Sequence, residues 1–391
     1  MPLSGAEPEP NAGGRRSIPL FRPYSTEEEV EAVAEVIRSG WWGQGPKTAE
    51  LEQRFKEVVG ASAVVAVSSG TAALHLALLA AGVEPGCEVI TPSLTFVSSS
   101  HAILYCGATP VFADVDPETL NLDPRDVAKR ITARTRAILV VDYGGQPADL
   151  EAIQRLAAEH GLVVIEDAAH AAGASYQGQP VGSISPLTCF SFHPVKPLAS
   201  GDGGVIALGQ GADPEWEPRL RRLRWLGIDE DTWQRADRRS AGDYRWQYVV
   251  TELGYKYQLN DVLAAIALVQ LRRVPSLLAR RRAICDRYRA GLADLPWIDL
   301  LHEPLDSRSA HHLFVVKVDN REAVRRWLGE HGIGSGVHYT PNHLLAMYAP
   351  YAQPLPVTER EHTRLLTLPL YSGMTDTDAD YVVEVLRAFR P

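Results

Sequence analysis

Between about residues 60 and 210, the chain alternates short apolar runs with amphipathic helical stretches. Runs rich in valine and isoleucine, such as "AVVAV", "AILVV", "LVVIEDA" and "GGVIAL", are separated by helical segments such as "TAALHLALLAAG" and "DLEAIQRLAAEHG". Strands that are apolar along their whole length are typical of parallel sheets covered on both faces. The pattern therefore predicts an α/β fold with a mostly parallel central sheet covered by helices. In such folds, function collects at the carboxyl ends of the strands.

The carboxyl-terminal part of the chain has a different pattern. The stretch from about 213 to 250 is polar, rich in Arg and Trp and without a clear period, and we expect it to be irregular. A long helical pattern follows, in which Pro275 is expected to cause a kink. From about 297 onward, short strands and helices predict a smaller α+β domain. We therefore expect a disordered tail over 1–17, a large domain over 18–259, and the long helix with the small domain over 260–391.

Composition and charge narrow the class of protein. The 391 residues are 45% hydrophobic and 22% charged, as in ordinary soluble proteins. The net charge of -9 argues against non-specific binding to nucleic acid or to anionic membranes. No apolar run reaches the roughly 20 residues that span a bilayer, and the first residues lack the apolar core of a signal peptide. The four cysteines show no paired metal-ligand spacing, so we expect a cytoplasmic protein without a metal site.

A candidate anion site follows the first predicted strand. In "VSSGTAALHLAL" the strand ends at Val67, and a helix begins near Thr71. The free N–H groups and the dipole of a helix start attract anions, and the hydroxyl groups of Ser69 and Thr71 are within reach. An ordinary serine or threonine helix cap would give the same pattern.

A second candidate feature lies in "LVVIEDAAHAAGA". A buried strand predicted over 162–165 delivers Glu166 and Asp167 at its carboxyl end, and His170 follows. A carboxylate there is unfavourable unless a cation or hydrogen-bond donors meet it. The alternative is a helix cap at Asp167 with His170 as a core histidine.

The third feature is Lys196 in "SFHPVKPLASGDGG". Pro194 and Pro197 stiffen the chain on both sides of this lysine, just beyond the predicted strand "CFSF". Taken alone, the segment could be a surface turn. An anion site, a buried aspartate and a fixed lysine are together what pyridoxal phosphate requires. This cofactor needs a lysine for the Schiff base, a phosphate pocket and an aspartate at the pyridinium nitrogen. Desolvation would also favour the neutral, nucleophilic lysine.

From about residue 20 onward, the sequence resembles the fold-type I pyridoxal-phosphate enzymes. More narrowly, it resembles the sugar aminotransferase family named after DegT, DnrJ, EryC1 and StrS. The motifs that carry the resemblance are "SGWWGQGP", "SSGTAALHLAL", "TPSLTFVSSSHAI", "FADVD", "EDAAHAAGA", "SFHPVKPLASGDGG", "LGYKYQLND" and "GVHYTPNHLLAMY". The resemblance implies an aspartate-aminotransferase-like fold.

The resemblance also implies roles for individual residues. Lys196 would form the Schiff base and move the proton to and from the substrate carbon. Asp167 would pair with the pyridine nitrogen, His170 would lie near the ring oxygen, and Phe96 would stack on the ring. The phosphate would be held by Ser69, Gly70, Thr71 and Ser191.

Other implied roles involve the substrate and a second subunit. Lys256, in "LGYKYQLND", stands where the family often has an asparagine that reaches across a dimer to the cofactor phosphate of the partner. The resemblance thus implies a homodimer with shared active sites. The residues expected near the sugar or the subunit boundary are His193, His338, Tyr339 and His343.

The implied reaction moves an amino group from L-glutamate to the keto carbon of a nucleotide-linked keto-deoxy sugar. The first candidate is C4 of dTDP-4-keto-6-deoxyglucose, because the variant "LGYKYQLND" resembles that branch; a C3 keto sugar or a keto-inositol is the alternative. Relatives that dehydrate sugars carry histidine in place of Lys196, so this lysine favours transamination. A non-catalytic, regulatory protein that binds pyridoxal phosphate, or a lyase or decarboxylase of the same fold, would be a different class.

Overall fold

The structure, a computed structural model, describes residues 16–230, 233 and 248–390. Most of the expected tail, 1–17, lies outside these residues. The strands are β1 (Ala63–Val67), β2 (Glu88–Pro92), β3 (Thr109–Ala113), β4 (Thr135–Val141), β5 (Val163–Asp167), β6 (Ser175–Tyr176), β7 (Gln179–Pro180), β8 (Leu187–Ser191), β9 (Gly204–Leu208), β10 (Ile298–Leu300), β11 (Ser307–Arg308), β12 (Phe314–Val318) and β13 (Leu365–Leu368). The helices are α1 (Glu27–Ser39), α2 (Pro46–Val59), α3 (Gly70–Ala80), α4 (Val97–Tyr105), α5 (Pro124–Arg130), α6 (Leu150–His160), α7 (Trp216–Arg224), α8 (Asp261–Leu292), α9 (Arg321–Glu330), α10 (Pro356–His362) and α11 (Asp376–Ala388).

The central sheet has, among the described residues, seven strands in the order β1-β9-β8-β5-β4-β2-β3. Only β9 runs antiparallel to its neighbours within this sheet, and the other neighbouring strands are parallel. The two faces of β4 show why its sequence is apolar throughout. Leu139 and Val141 pack toward α3, whereas Ile138 and Val140 pack toward α5 and α6. Successive side chains of a strand point to opposite faces, so both faces are buried. The predicted α/β fold with a mostly parallel sheet is confirmed.

The long helix α8 is a core helix. Asn260 caps its first turn, and the helix continues through Pro275 to Leu292. It packs against α1, α2 and α11. By length and composition alone it could cross a membrane, but half of its most apolar window is buried inside the protein. Its apolar character therefore reflects packing in a soluble domain, and the kink at Pro275 stays a prediction.

The prediction of irregular structure over about 213 to 250 is wrong for Trp216–Arg224, which form helix α7. Leu220 and Leu223 are buried against the core. Arg224 is also buried, where it forms an ion pair with Glu52 of α2. A charged residue on the buried side hides the helical period in the sequence. Residues 231–232 and 234–247 lie outside the described part of the chain.

A smaller sheet, in the order β10-β12-β13, packs with α9 and α11 around a separate core. The first described residues join this core. Ile18 is buried in it and forms a parallel bridge with Ile333. The backbone N–H of Ile18 donates to Gly332, and the backbone N–H of Gly334 donates to Ile18, each at 2.8 Å. The proposed domain boundaries at 17/18 and 259/260 stay predictions.

The carboxylate of Asp261 joins the starts of α8 and α2. One oxygen, Oδ1, accepts hydrogen bonds from the backbone of Gly45 at 2.8 Å and of Thr48 at 3.0 Å, and from the Thr48 hydroxyl at 2.7 Å. The other oxygen, Oδ2, accepts from the backbone of Lys47 at 3.0 Å. Gly45 offers no side chain to cap α2, so Asp261 caps it from another helix.

We predict that Asp261→Ala lowers the free energy of unfolding by about 3 kcal/mol, because it leaves buried N–H donors without an acceptor. Urea titration at a fixed protein concentration measures the change. The matched control is Asp286→Ala, on the exposed side of the same helix, with an expected change within about 0.5 kcal/mol. Equal effects of the two substitutions would contradict this role of Asp261.

Candidate active site

A cavity of about 310 Å³ opens at the carboxyl ends of the parallel strands. Residues from both the central sheet and the smaller domain line it. The site residues predicted from the sequence that line this cavity are Ser69, Gly70, Thr71, Phe96, Asp167, His170, Ser191, His193, Lys196, His338 and Tyr339. The structure therefore brings together most of the predicted residues, although they are distant in sequence.

Lys196 follows β8 in a tight turn, in which its backbone N–H donates to the carbonyl of His193 at 2.9 Å. Burial lowers the pKa of the Lys196 ammonium to about 8, although the negative charge of Asp167 acts in the opposite direction. Near neutral pH, a larger share of this amine is therefore unprotonated than for an exposed lysine. A lysine in this state can act as a nucleophile or accept a proton.

Asp167 ends β5, and its side chain is held from two directions. The Ser99 hydroxyl of α4 donates to Oδ2 at 2.7 Å, and the backbone N–H of Ala169 donates to Oδ1 at 3.2 Å. Burial raises the pKa of Asp167, while these hydrogen bonds and the charge of Lys196 lower it. No helix begins at Asp167 within the described chain, so the alternative of a helix cap has no support. The carboxylate is fixed at the wall of the cavity.

The start of α3 forms a candidate anion site. Ser69 caps the helix, and its Oγ accepts a hydrogen bond from the Ala72 backbone at 3.1 Å. The hydroxyl groups of Thr71 and Ser98 lie 2.9 Å apart. A Cβ atom at Gly70 would lie 2.7 Å from the Cβ of Ser191, so only glycine lets β8 approach the helix start this closely. Backbone N–H groups at such a helix start suit a phosphate.

His170 and Tyr339 form a hydrogen-bonded pair whose direction can be assigned. The backbone N–H of Gly144 donates to Nδ1 of His170 at 3.3 Å, so in the neutral ring the proton is on Nε2. Nε2 then donates to the hydroxyl oxygen of Tyr339 at 3.1 Å. Burial and the charge of Lys196 hold the pKa of His170 well below its ordinary value, so the ring is neutral. The Tyr339 hydroxyl hydrogen is left for another acceptor.

His312 is a site residue that the sequence analysis missed. Its side chain is only 5% exposed, lines the cavity and lies 4.4 Å from the His170 ring, centroid to centroid. Its Nδ1 has no hydrogen-bond partner in the part of the chain that the structure describes. The sequence pattern around His312 indicates only the short strands and helices of the smaller domain. No local motif marked His312, whose role depends on contact between the two cores.

Two predicted site residues lie away from this cavity. Lys256 donates to Gln258 Oε1 at 2.6 Å, and its ammonium stands 4.0 Å from the centre of the Trp225 ring. His343 is buried, with its Nδ1 2.7 Å from Ser93 Oγ. The structure brings neither residue to the cavity of its own chain.

The residues present fit pyridoxal phosphate. The cavity has the size of a small-ligand pocket and combines the anion site at α3 with the buried carboxylate of Asp167. The Phe96 ring is 55% exposed and lines the same space, which suits stacking on an aromatic ring. Lys196 supplies the amine that an aldehyde requires. Such groups at the strand ends of a mostly parallel sheet are the arrangement of a fold-type I aminotransferase.

The chain belongs to the DegT/DnrJ/EryC1/StrS aminotransferase family, whose model matches residues 23–387. Solved structures agree. The aminotransferase TlmJ from Streptoalloteichus hindustanus is 38% identical with a TM-score of 0.88, over 95% of this chain and 98% of that one. The sugar aminotransferase CalS13 from Micromonospora echinospora is 35% identical with a TM-score of 0.87, over 95% and 100%. Spr1654 from Streptococcus pneumoniae, solved in its PLP form, is 32% identical with a TM-score of 0.88, over 96% and 100%.

We predict that Gly70→Ala weakens binding of pyridoxal phosphate at least about tenfold, or about 1.4 kcal/mol. The added methyl group would push Ser191 or the start of α3 out of place. The dissociation constant is measured by absorbance titration of cofactor-free protein. The control is Gly329→Ala on α9, where the methyl group would meet nothing within 4 Å. An unchanged dissociation constant for the Gly70 variant would rule out the close-approach argument.

Proposed function

We propose that this protein is a pyridoxal-phosphate-dependent sugar aminotransferase. It moves an amino group from L-glutamate to the keto carbon of a nucleotide-linked keto-deoxy sugar, first of all C4 of dTDP-4-keto-6-deoxyglucose. The observation that carries the proposal is the presence of Lys196 and Asp167 in one cavity beside an anion site. Family membership and the similarity to a sugar aminotransferase, CalS13, support the reaction class and the sugar.

In this assignment, the start of α3 would hold the phosphate, and Phe96 would pack against the ring. Bound pyridoxal phosphate supplies the electron sink that the reaction needs. Asp167 holds a proton at the pyridine nitrogen, because its carboxylate is fixed by Ser99 and carries a charge that favours a nearby cation. Lys196 Nζ takes and returns the proton at the substrate carbon, a task for which a lowered pKa is suited.

The pair of His170 and Tyr339 adds a directed hydrogen-bond donor. Because His170 donates to the Tyr339 oxygen, the tyrosine hydroxyl hydrogen is available to an oxygen atom in the cavity. Burial raises the pKa of Tyr339 above its ordinary value, so the hydroxyl stays protonated at neutral pH. A neutral donor of this kind suits the ring oxygen of the cofactor or the keto oxygen of a sugar.

The test separates the two half-reactions. Purified protein is mixed with L-glutamate. We expect the visible absorbance band of the bound pyridoxal phosphate to fade while an equimolar amount of 2-oxoglutarate forms. Keto sugars should then restore the band, dTDP-4-keto-6-deoxyglucose most efficiently. Lys196→Ala should still bind cofactor through the phosphate, but should lose about 10³-fold in the rate of 2-oxoglutarate formation, because it lacks the group that moves the proton.

The other outcomes identify the alternatives. If glutamate causes no change and no 2-oxoglutarate forms, a regulatory binding protein would replace the enzyme. Release of ammonia or carbon dioxide without 2-oxoglutarate would indicate a lyase or decarboxylase. Restoration by a C3 keto sugar or a keto-inositol, and not by the C4 substrate, would overturn the choice of position.

We also propose a homodimer with shared active sites, located in the cytoplasm. Lys256 lies outside the cavity of its own chain, on an open face beside Trp225. Nearby segments expose apolar side chains at Leu226, Val249 and Leu253, and exposed apolar groups of this kind favour an interface. A second subunit covering this face would receive Lys256 near its anion site. The four cysteines are free thiols, which supports a reducing compartment.

We predict that two inactive variants restore each other. Lys196→Ala and Lys256→Gln are purified separately, dissociated, mixed in equal amounts and reassociated. If Lys256 serves the other subunit, each mixed dimer has one intact site, and random pairing restores about a quarter of the sites. The exposed Lys129→Gln variant is the control and should be fully active alone. Lys256→Gln must be impaired by itself; full activity of that variant, or no recovery on mixing, would refute the crossing role.

A further inference from the structure

A row of polar side chains crosses the central sheet on the face opposite the cavity. Glu166 in β5 lies directly across from Thr188 in β8 and from Val140 in β4. Asp142 immediately follows β4 and has the same side-chain parity as Val140. Asp167, one residue after Glu166, points the other way into the cavity. A carboxylic acid pair therefore lies directly behind the aspartate of the candidate site.

The pair is completely buried, and its hydrogen bonds are incomplete. Asp142 and Glu166 have no exposed surface. Asp142 Oδ1 accepts from the Ala148 backbone at 3.0 Å, and Glu166 Oε2 accepts from the Thr188 hydroxyl at 3.1 Å. The remaining oxygens, Asp142 Oδ2 and Glu166 Oε1, receive no hydrogen bond of normal geometry from any residue in the described ranges. Buried acceptors of this kind need a donor.

A single proton between the two carboxyl groups meets this need. With no proton, two negative charges would lie in contact in a buried site. With two protons, Glu166 would be neutral although Ser185, Asp142 and Thr188 all offer it hydrogen bonds, and such donors favour the ionised form. We propose that Asp142 and Glu166 hold one proton between them, and that their remaining negative charge makes them positioning residues that support Asp167 from behind the sheet.

The charges around the pair agree with a proton on Asp142 and the negative charge on Glu166. Burial raises the pKa of Asp142 well above its ordinary value, and the charges of Glu166 and Asp167 raise it further. Burial also raises the pKa of Glu166, whereas hydrogen bonds from Ser185, Asp142 and Thr188 lower it. The Cys189 thiol of β8 is also close by. Burial raises its pKa, and the charges of Asp167 and Glu166 raise it further, so the thiol is neutral.

The connection to Asp167 is short. The backbone N–H of Asp142 donates to the backbone carbonyl of Asp167 at 3.2 Å, and Glu166 is its neighbour in β5. Charges interact strongly across a few ångströms of buried protein. The charge of the pair therefore strengthens the negative potential at Asp167, and with it the hold of Asp167 on a proton. This second step rests on the proposed function, whereas the shared proton does not.

Infrared spectroscopy tests the shared proton in the full-length protein as purified, whatever reaction it catalyses. We expect the C=O band of a buried carboxylic acid near neutral pH. Asp142→Asn and Glu166→Gln should each abolish it, because the new amide N–H replaces the proton and leaves the other group ionised. Both substitutions keep side-chain size and one negative charge, so both variants should fold. A wild-type spectrum without the band, or a band that survives in both variants, would overturn the proposal.

The support of Asp167 is tested by nitrogen NMR of protein loaded with pyridoxal phosphate labelled at the ring nitrogen. Glu166→Gln keeps one negative charge, now on Asp142. The ring nitrogen of this variant should therefore lose its proton at the same pH as in the wild-type protein. Glu166→Met leaves Asp142 alone and neutral in an apolar setting, so the proton should be lost about one pH unit lower.

Equal titrations of the Gln and Met variants in the presence of Asp167 would refute the electrostatic role, even if the infrared band behaves as expected. A purely structural role would lower stability without this difference in titration. If Glu166→Met does not fold, the infrared comparison of the two amide variants still decides the shared proton. Failure of the glutamate half-reaction with an intact acid band would count against the proposed function and leave the shared proton standing.

Discussion

Burying the carboxylate of Asp167 at the end of β5 is unfavourable unless donors and a cation lie close to it. The compensation comes from separate parts of the chain. Ser99 reaches it from α4, the Ala169 backbone reaches it from the following turn, and Lys196 faces it from beyond β8. Each of these elements is placed by the packing of the central sheet. Burial in the same site lowers the pKa of Lys196, while the charge of Asp167 raises it, so the charge states of the amine and the carboxylate depend on one another.

Site residues could be predicted from the sequence where they directly follow an apolar run. The strand end at Asp167, the helix start near Thr71 and the proline-bounded Lys196 all lie where an apolar run ends. These positions could be predicted, because an apolar run predicts a buried strand and a parallel sheet brings the carboxyl ends of its strands together. Local pattern and tertiary position agree in these cases.

Other parts of the site depend on contacts that no local pattern encodes. Ser99 contacts Asp167 because α4 packs beside the cavity, and His312 lines the cavity because the smaller domain forms one of its walls. The helix α7 was missed because Arg224 occupies a buried position, and its compensating charge, Glu52, is far away in the sequence. In the same way, the motif around Lys256 does not reveal that this lysine lies beside Trp225, outside the cavity of its own chain. Long-range ion pairs and domain contacts thus limit what a single sequence predicts.

The cavity takes one wall from the smaller domain, and Ile18 near the other end of the chain is buried in the core of that domain. During synthesis on the ribosome, Lys196 and Asp167 emerge before His312 and Tyr339 exist. The amino-terminal segment must likewise wait for Ile333 before it can pair. Contacts so distant in sequence form late in folding. Lys196 is thus made early, whereas its enclosure depends on contacts that are distant in sequence, so we expect the protein to take up the cofactor near the end of folding.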